Sequence, residues 1–431
     1  MTRELGDSGT GWLGDIPTDW SVVPARAMFG ERKQKSSATD VHLTPSQKYG
    51  VLPQVEYMDI TGNKVVLNLS GADNMRHVEA GDYVSHLRSF QGGLEFAGMP
   101  GKVSAAYTVL KPKVAIEPRF FKYLFKSDLY IQALQTTTDQ LRDGQSIRYG
   151  QFALIPLPRP AIEEQRAIAD YLDRETAQID AFIAKNEELI SLLTERRAVA
   201  VDRAIGWGTT PDVATGEWLG CVPNGWSLAP LRRWMRFITS GSRGWGQFYS
   251  DEGSDVFLRI GDLQRDRLEL RPVARQRVEL PVGEEGVRAR TQPGDLLISI
   301  TADLGSVAVI DIADAGAYVS QHVALVRLDK ERLNSRFGAY VVSSSAGKTH
   351  FEKAAYGGTK IQLSLPDVRE MPIAVPSLDE QVRIVQHLDA VTDDVDEAIE
   401  TARRAIELAR ERRAALISAA VTGKIDVGVA E

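Results

Sequence analysis

The chain is written twice, and this constrains its fold more than any other feature of its 431 residues. The run Trp12-Leu13-Gly14-Asp15-Ile16-Pro17-Thr18-Asp19-Trp20-Ser21 returns as Trp218-Leu219-Gly220-Cys221-Val222-Pro223-Asn224-Gly225-Trp226-Ser227. Pro24 and Arg26 match Pro230 and Arg232, Gly81-Asp82 matches Gly294-Asp295, and Val103-Ser104 matches Val319-Ser320. Glu164-Gln165 reappears as Glu380-Gln381, Leu172-Asp173 as Leu388-Asp389, and Glu195-Arg196-Arg197-Ala198 as Glu411-Arg412-Arg413-Ala414. The period, roughly 206 residues at the start of each copy and roughly 216 at its end, is far too long for a solenoid. A whole unit has been duplicated in tandem.

Each copy divides again. Residues 1–160 and 206–376 are rich in Gly and Pro, with strand-like runs at Lys64–Leu67, Asp295–Ile300 and Val307–Ile310. Short helical stretches intervene at Phe120–Leu124 and Phe337–Ser343. These parts are expected to be α/β domains with a mostly irregular, strongly twisted sheet. Residues 161–205 and 377–422 contain neither Gly nor Pro. Pro160 and Pro376 stand just before them and Gly206 and Gly423 just after, the punctuation of a helix. Ser377 with Glu380 makes a capping box. The parts are therefore domain 1 (1–160), helical spacer 1 (161–205), domain 2 (206–376), and helical spacer 2 with a C-terminal tail (377–431).

A helix of ~45 residues is ~65–70 Å long at 1.5 Å per residue, longer than either domain, so part of it must pack on another long helix. Apolar residues recur at Ile168, Leu172, Ile179, Phe182, Leu189 and Leu193. At positions equivalent to Phe182, Asn186, Leu189 and Leu193, the second helix has Ala398, Ala402, Ala405 and Ala409. Bulky side chains against small ones fill space at interior density. The predicted seam pairs Leu172, Ile179, Phe182, Leu189 and Leu193 with Leu388, Val395, Ala398, Ala402 and Ala405 as an antiparallel coiled coil. The alternative is that each helix packs on its own domain or on a different subunit. Antiparallel pairing would put the two domains at opposite ends of a rod, related by a pseudo-two-fold axis.

Composition sets the class. The chain is 43% hydrophobic and 25% charged, as soluble globular proteins are. No apolar run approaches the ~18–20 residues of a membrane span, and Met1-Thr2-Arg3-Glu4 does not open a signal peptide. Cys221 is the single cysteine, so no internal disulfide forms, and a cytoplasmic location is expected. The net charge of −7 does not argue against nucleic acid, because its placement matters more than its total. Residues 161–205 and 377–422 each carry 6 basic and 10 acidic side chains, leaving the rest of the chain at a net +1.

This order of domain, long helix, domain, long helix resembles the specificity subunits of type I restriction-modification systems. The helices of that family open with a proline and a Glu-Gln pair ahead of an Ile and a Leu. The matches are Pro160, Glu164-Gln165, Ile168 and Leu172, then Pro376, Glu380-Gln381, Ile384 and Leu388. The Arg196-Arg197-Ala198-Val199 and Arg412-Arg413-Ala414-Ala415 stretches and the closing Thr422-Gly423-Lys424-Ile425 are family-like too. In the domains, Phe90-Gln91-Gly92-Gly93-Leu94 with Gly101-Lys102-Val103-Ser104 and Tyr107-Thr108-Val109-Leu110 resembles a target-recognition domain. So does Gly241-Ser242-Arg243-Gly244-Trp245 leading to Tyr249 and Leu258-Arg259-Ile260. The resemblance implies a non-catalytic subunit in which each domain reads one half of a split double-stranded DNA target and the helices fix the gap. It also implies docking of two modification (methyltransferase) subunits, joined by restriction (translocase and nuclease) subunits. No cofactor is expected on this chain; S-adenosylmethionine, ATP and Mg would sit on the partners.

Reading bases requires exposed Arg, Lys, Asn or Gln on loops held by a firm scaffold. In the first domain the candidates are Arg88, Phe90, Gln91, Gly92, Tyr107 and Arg148, with Gly92 and Gly93 allowing close backbone approach to a phosphate or base. The competing reading makes Phe90 and Tyr107 core residues and Arg88 a solvated charge. In the second domain they are Ser242, Arg243, Trp245, Tyr249, Arg259 and Lys360; glycines around Arg243 and Trp245 suggest a mobile contact loop. The run Arg265, Arg267, Arg271, Arg275 and Arg277, interspersed with Asp266 and Glu269, fits either a salt-bridged strand face or phosphate contacts.

Other signals fail. Ser345-Ala346-Gly347-Lys348-Thr349 ends like a phosphate loop, but Val342 stands where the loop's first Gly belongs. The six histidines show no metal spacing. No Asn/Asp-Pro-Pro-aromatic tetrad or Gly-rich cofactor loop for methyl transfer is present, and no nuclease carboxylate cluster stands out. The competing functional classes are a non-DNA protein scaffold with duplicated binding domains on a helical strut, and a self-contained methylase or nuclease.

Overall fold

The computed structural model describes residues 3–63, 75–86, 89–137, 147–206, 222–241, 244–280, 290–355 and 361–428. The chain forms two compact units, Met1–Asn186 with Arg404–Glu431, and Glu187–Arg403. Each unit takes one domain and a segment of both long helices.

In the first unit, β1 (Ser21–Pro24), β2 (Phe29–Glu31), β3 (Tyr83–Val84), β4 (Glu95–Phe96) and β5 (Val109–Pro112) precede α1 (Pro118–Lys126) and α2 (Asp128–Gln135). β6 (Pro156–Arg159) and the long helix α3 (Ile162–Ala204) follow. The central sheet has the order β2-β5-β3-β4 and is antiparallel throughout, and β1 pairs with β6 beside it. α1 begins with Pro at its first turn and Glu117 accepting from the Arg119 N–H at 3.1 Å. Its Phe120, Phe121, Leu124 and Phe125, spaced three and four apart, are all fully buried. Phe29 meets Tyr83, Phe121 and Phe125 edge-on at centroid distances of 5.7, 5.2 and 5.4 Å. Ser127 stops α1 by donating to the Leu124 carbonyl and starts α2 by accepting from the Tyr130 N–H. The strand predicted at Lys64–Leu67 lies outside the described residues.

The second unit contains β7 (Ser227–Pro230), β8 (Met235–Ser240), β9 (Asp255–Leu258), β10 (Gln276–Val278), β11 (Leu296–Ser299), β12 (Val307–Val309), β13 (Tyr318–Val319) and β14 (Val323–Leu328). Next come α4 (Ser335–Ser343), α5 (Ser345–Ala354), β15 (Pro372–Val375) and the long helix α6 (Leu378–Val421). The central sheet, β8-β14-β11-β12, has the strand order of the first unit, and β7 pairs with β15 as β1 does with β6. A three-stranded sheet, β10-β9-β13, has β9 and β13 parallel; in the first unit the strand matching β13, Gly101–Val103, pairs with Arg76–Val78 and is bridged in parallel by His42. β11 and β14 read as apolar runs because both faces are covered. Leu296, Ile298, Ala324 and Val326 enter one core, while Leu297, Val323 and Leu325 enter another.

Both long helices carry buried residues three and four apart. On α6 these are Val385, Leu388, Thr392, Val395, Ile399, Ala402 and Ile406; on α3, Leu172, Thr176 and Ile179, and further on Arg197 and Val201. In the first unit Ile168 and Leu172 share a core with Ile417, Ala420 and Val421, and Asp180 pairs with Arg413 at 2.8 Å. In the second, Val201 and Ile205 share a core with Val385 and Leu388, and Arg197 pairs with Asp396. Within each unit, then, residue numbers fall along one helix as they rise along the other. Of the predicted seam residues, Leu172, Ile179, Leu388, Val395 and Ala402 are buried and Leu193, Ala398 and Ala405 half-buried. Phe182 and Leu189 are a correction: they are 47% and 44% exposed, because each sits one position ahead of the stripe, on its flank.

Candidate nucleic-acid interface and helix-docking surface

One set of hydrogen bonds ties the start of each long helix to its own domain, and it occurs in both units. The Trp20 indole donates to Glu164 at 2.9 Å, and Trp226 to Glu380 at 3.3 Å. Gln165 accepts from the Glu117 N–H and donates to the Pro160 carbonyl, both at 2.9 Å. Gln381 accepts from the Asn334 N–H at 2.7 Å and donates to the Pro376 and Arg332 carbonyls. About two turns further, the Tyr123 hydroxyl donates to Asp173 at 2.7 Å beside Thr176, and Tyr340 to Asp389 at 2.6 Å beside Thr392. Arg119 and Arg336 close the same carboxylates at 2.9 Å each. Burial, then the bond to the carboxylate, push both tyrosine hydroxyls up to about 12, so each stays a donor at physiological pH. The Glu-Gln and Leu-Asp repeats were legible in the sequence, but Tyr123, Tyr340, Arg119 and Arg336 were not singled out. The repeated Asp173 and Asp389, buried-side acids on an apolar helix face, were the signal that pointed to partners.

In the first domain, Arg88 lies outside the described residues, and Phe90 falls in a short helical turn, Ser89–Gly92. Gln91 in that turn and Arg148 are exposed. Tyr107 is half-buried against the cluster of Val78, Val84 and Val109, and burial raises its hydroxyl. Of the glycine pair, Gly93 is required by the domain itself, since its neighbour is backbone and its φ is +74°. A Cβ on Gly92 would lie 2.5 Å from the Gln47 amide nitrogen, and one on Gly93 would lie 1.9 Å from the Phe125 carbonyl oxygen.

In the second domain, Ser242, Arg243 and Lys360 lie outside the described residues. Trp245, expected on a mobile contact loop, is instead buried, with Phe257 at 5.7 Å and Tyr318 at 5.2 Å from strands β9 and β13. It anchors the segment from below. Tyr249 and Arg259 are exposed and together: the guanidinium stands 6.0 Å over the Tyr249 ring, and the ring packs on Phe257 at 5.8 Å. The arginine run pairs at a distance instead of with its own acids. Arg265 meets Asp303 at 2.8 Å, Arg267 meets Asp396 at 3.1 Å, and Arg275 meets Asp314 at 3.5 Å. The phosphate-loop look-alike is taken: the Asp202 carboxylate accepts from the Ser345 N–H at 2.9 Å, at the start of α5.

On the first unit's helix pair, Ile179, Phe182, Ala405, Leu408 and Ala409 line an apolar groove of about 470 Å³. Leu408 is 65% exposed and Phe182 nearly half, so each helix contributes one large apolar side chain standing in solvent at the groove. Among the described residues, no group of His, Cys, Asp and Glu could hold a metal ion, and no helix is long and apolar enough to cross a membrane.

Comparison with known proteins bears on this arrangement. Residues 284–408 match the type I restriction modification DNA specificity domain. The chain is 22% identical over 436 residues to a type I restriction enzyme MjaX specificity subunit of Methanocaldococcus jannaschii, covering 96% of each. It is 23% identical to the type I restriction enzyme StySPI specificity subunit of Salmonella potsdam, over 68% of this chain and 63% of that one. In fold it is similar to a solved chain described under complex assembly and conformational transition of the type I R-M system, with a TM-score of 0.66 at 17% identity, covering 95% and 99%. Residues 284–408 thus carry a type I restriction modification DNA specificity domain, and over nearly its whole length the chain is similar to a type I restriction enzyme specificity subunit.

Proposed function

We propose that this chain is the non-catalytic DNA-reading subunit of a cytoplasmic type I restriction-modification complex. Each α/β domain, 1–160 and 206–376, reads one half of a bipartite double-stranded target. The helical spacers 161–205 and 377–431 pair as an antiparallel coiled coil, relate the domains by a pseudo-two-fold axis and so set the gap between the half-sites. Two methyltransferase subunits dock on the helices, restriction subunits join them, and S-adenosylmethionine, ATP and Mg belong to those partners.

The observation that carries this reading is the repeated Trp–Glu, Gln–backbone and Tyr–Asp bonding at the start of each long helix. A domain held rigidly to its helix converts helix length into distance, as a split target requires. The exposed Tyr249–Arg259 pair offers an aromatic face and a guanidinium fork of the kind that reads a base edge. The apolar groove at Phe182 and Leu408 offers a partner helix the apolar contact it needs.

The test is a map of methylated adenines in DNA from cells expressing this subunit with its modification partners. The expected result is one two-part sequence with a fixed unread gap. A continuous motif, or no change in the methylation pattern, would overturn the reading. The purified chain alone is expected to transfer no methyl groups to duplex DNA.

A further inference from the structure

The second unit contains a buried guanidinium that the functions above leave unused. The Arg197 side chain, on α3, is only 9% exposed and is ion-paired with Asp396 of α6. Asp396 is shared, because Arg267 meets its other oxygen at 3.1 Å. The Arg197 Nε is fully buried with no hydrogen-bond acceptor among the described residues, and burial lowers the affinity of the guanidinium for its proton. A buried charged donor left without an acceptor is costly, so such groups are rare unless something fills the gap.

The surroundings favour an anion. Arg197 lines a cleft of about 250 Å³ with Arg265, Arg267, Arg271 and Arg403, against only Asp266 and Asp396. Arg265 is drawn away to Asp303, and Arg403 reaches Glu400 only at 3.9 Å. Arg271 has no ion pair among the described residues. The repeat supplies an internal control. The equivalent pair in the first unit is Arg413 with Asp180, one arginine to one carboxylate, with Arg413 36% exposed and open to water. The second unit has buried the same pair and added arginines around it.

We propose that the cleft formed by Arg197, Arg267, Arg271 and Arg403 binds a phosphate oxyanion. Guanidinium forks donate pairs of parallel N–H bonds to tetrahedral oxyanions, and the cleft has room for one such group with its waters. The phosphate comes either from free inorganic phosphate or from the backbone of a bound duplex. The free-phosphate arm is independent of DNA reading, so its outcome stands apart from the assignment above.

Thermal unfolding of the full chain, with chloride exchanged for inorganic phosphate at constant ionic strength, tests the site. Saturating phosphate should raise Tm by about 2–4 °C. The rise should vanish in Arg271→Gln and Arg267→Gln, both exposed enough to fold, and persist in Arg236→Gln, which pairs with Asp329 elsewhere in the unit. If the ligand is a backbone phosphate, free phosphate gives no rise. Arg271→Gln then lowers the salt slope of random-duplex binding, measured with the modification subunits present, by about one. A rise of equal size in all variants, or no rise together with an unchanged salt slope, overturns the proposal.

Discussion

A Cβ on Gly93 would collide with the Phe125 carbonyl oxygen, and its φ of +74° is one that L side chains rarely adopt. Gly93→Ala is expected to cost more than ~2 kcal/mol in a denaturant melt. Gly150, with open space around its Cβ position, should accept Ala within about 0.5 kcal/mol. Equal effects at the two positions would contradict the close approach. His77 carries a pH dependence. Burial pulls its pKa down, but hydrogen bonds to Glu79 at 2.9 Å and Asp40 at 2.8 Å outweigh that, and the net shift is upward. A raised folded pKa stabilises fully below the unfolded value of about 6.5 and loses that contribution as pH rises through the folded value. Asp40, lowered by His77 and the Ser37 N–H against its own burial, loses its share as pH falls into the carboxylate range. The stability gap between the native chain and His77→Gln should therefore be widest below pH ~6.5 and above the carboxylate range, and narrow above neutrality. Melts showing a gap that does not change with pH would refute this pairing.

At the scale of elements, the two long helices were the most legible part of the sequence. Gly and Pro are missing from 45-odd residues and appear at both ends, and apolar residues fall three and four apart. α3 and α6 span Ile162–Ala204 and Leu378–Val421. What the sequence could not separate was seam from flank, since Phe182 and Leu189 lie one residue from the stripe and are as apolar as its members. Their exposure makes a prediction: Phe182→Glu and Leu408→Glu should leave the melting curve within about 0.5 kcal/mol of the native one, yet abolish co-purification with a modification subunit. Retained co-purification would remove the groove from the docking surface. Adding one heptad to each helix, after Asn186 and after Arg403, keeps the stripe in register and lengthens each helix by ~10.5 Å. The gap in the methylated sequence should grow by about three base pairs at ~3.4 Å each; an unchanged gap would mean that the helices do not set it.

Across the whole molecule, the sequence revealed the repeat but not how each copy is held together. Trp245 among glycines looked like a surface contact, because its burial depends on Phe257 and Tyr318, which arrive from strands 12 and 73 residues further on. The arginine run likewise found its carboxylates on Asp303, Asp314 and Asp396, all distant in sequence. A division of labour between copies predicts that Tyr249→Ala with Arg259→Ala relaxes one half of the methylated sequence and leaves the other half and the gap intact. Degeneracy in both halves would show that the copies do not read separately. The socket that seats each domain has one more consequence. On the domain side, Gln165 and Gln381 hold only main-chain atoms: the N–H groups of Glu117 and Asn334 and the carbonyls of Pro160, Pro376 and Arg332. Every amino acid but proline offers the same N–H, and all offer the same carbonyl, so the glutamine bonds place no demand on side-chain identity, and the selective part of the joint is the Trp–Glu and Tyr–Asp pairing. A foreign domain that keeps the tryptophan, the tyrosine and the arginine of this socket is therefore expected to seat on either long helix, whatever the rest of its surface carries.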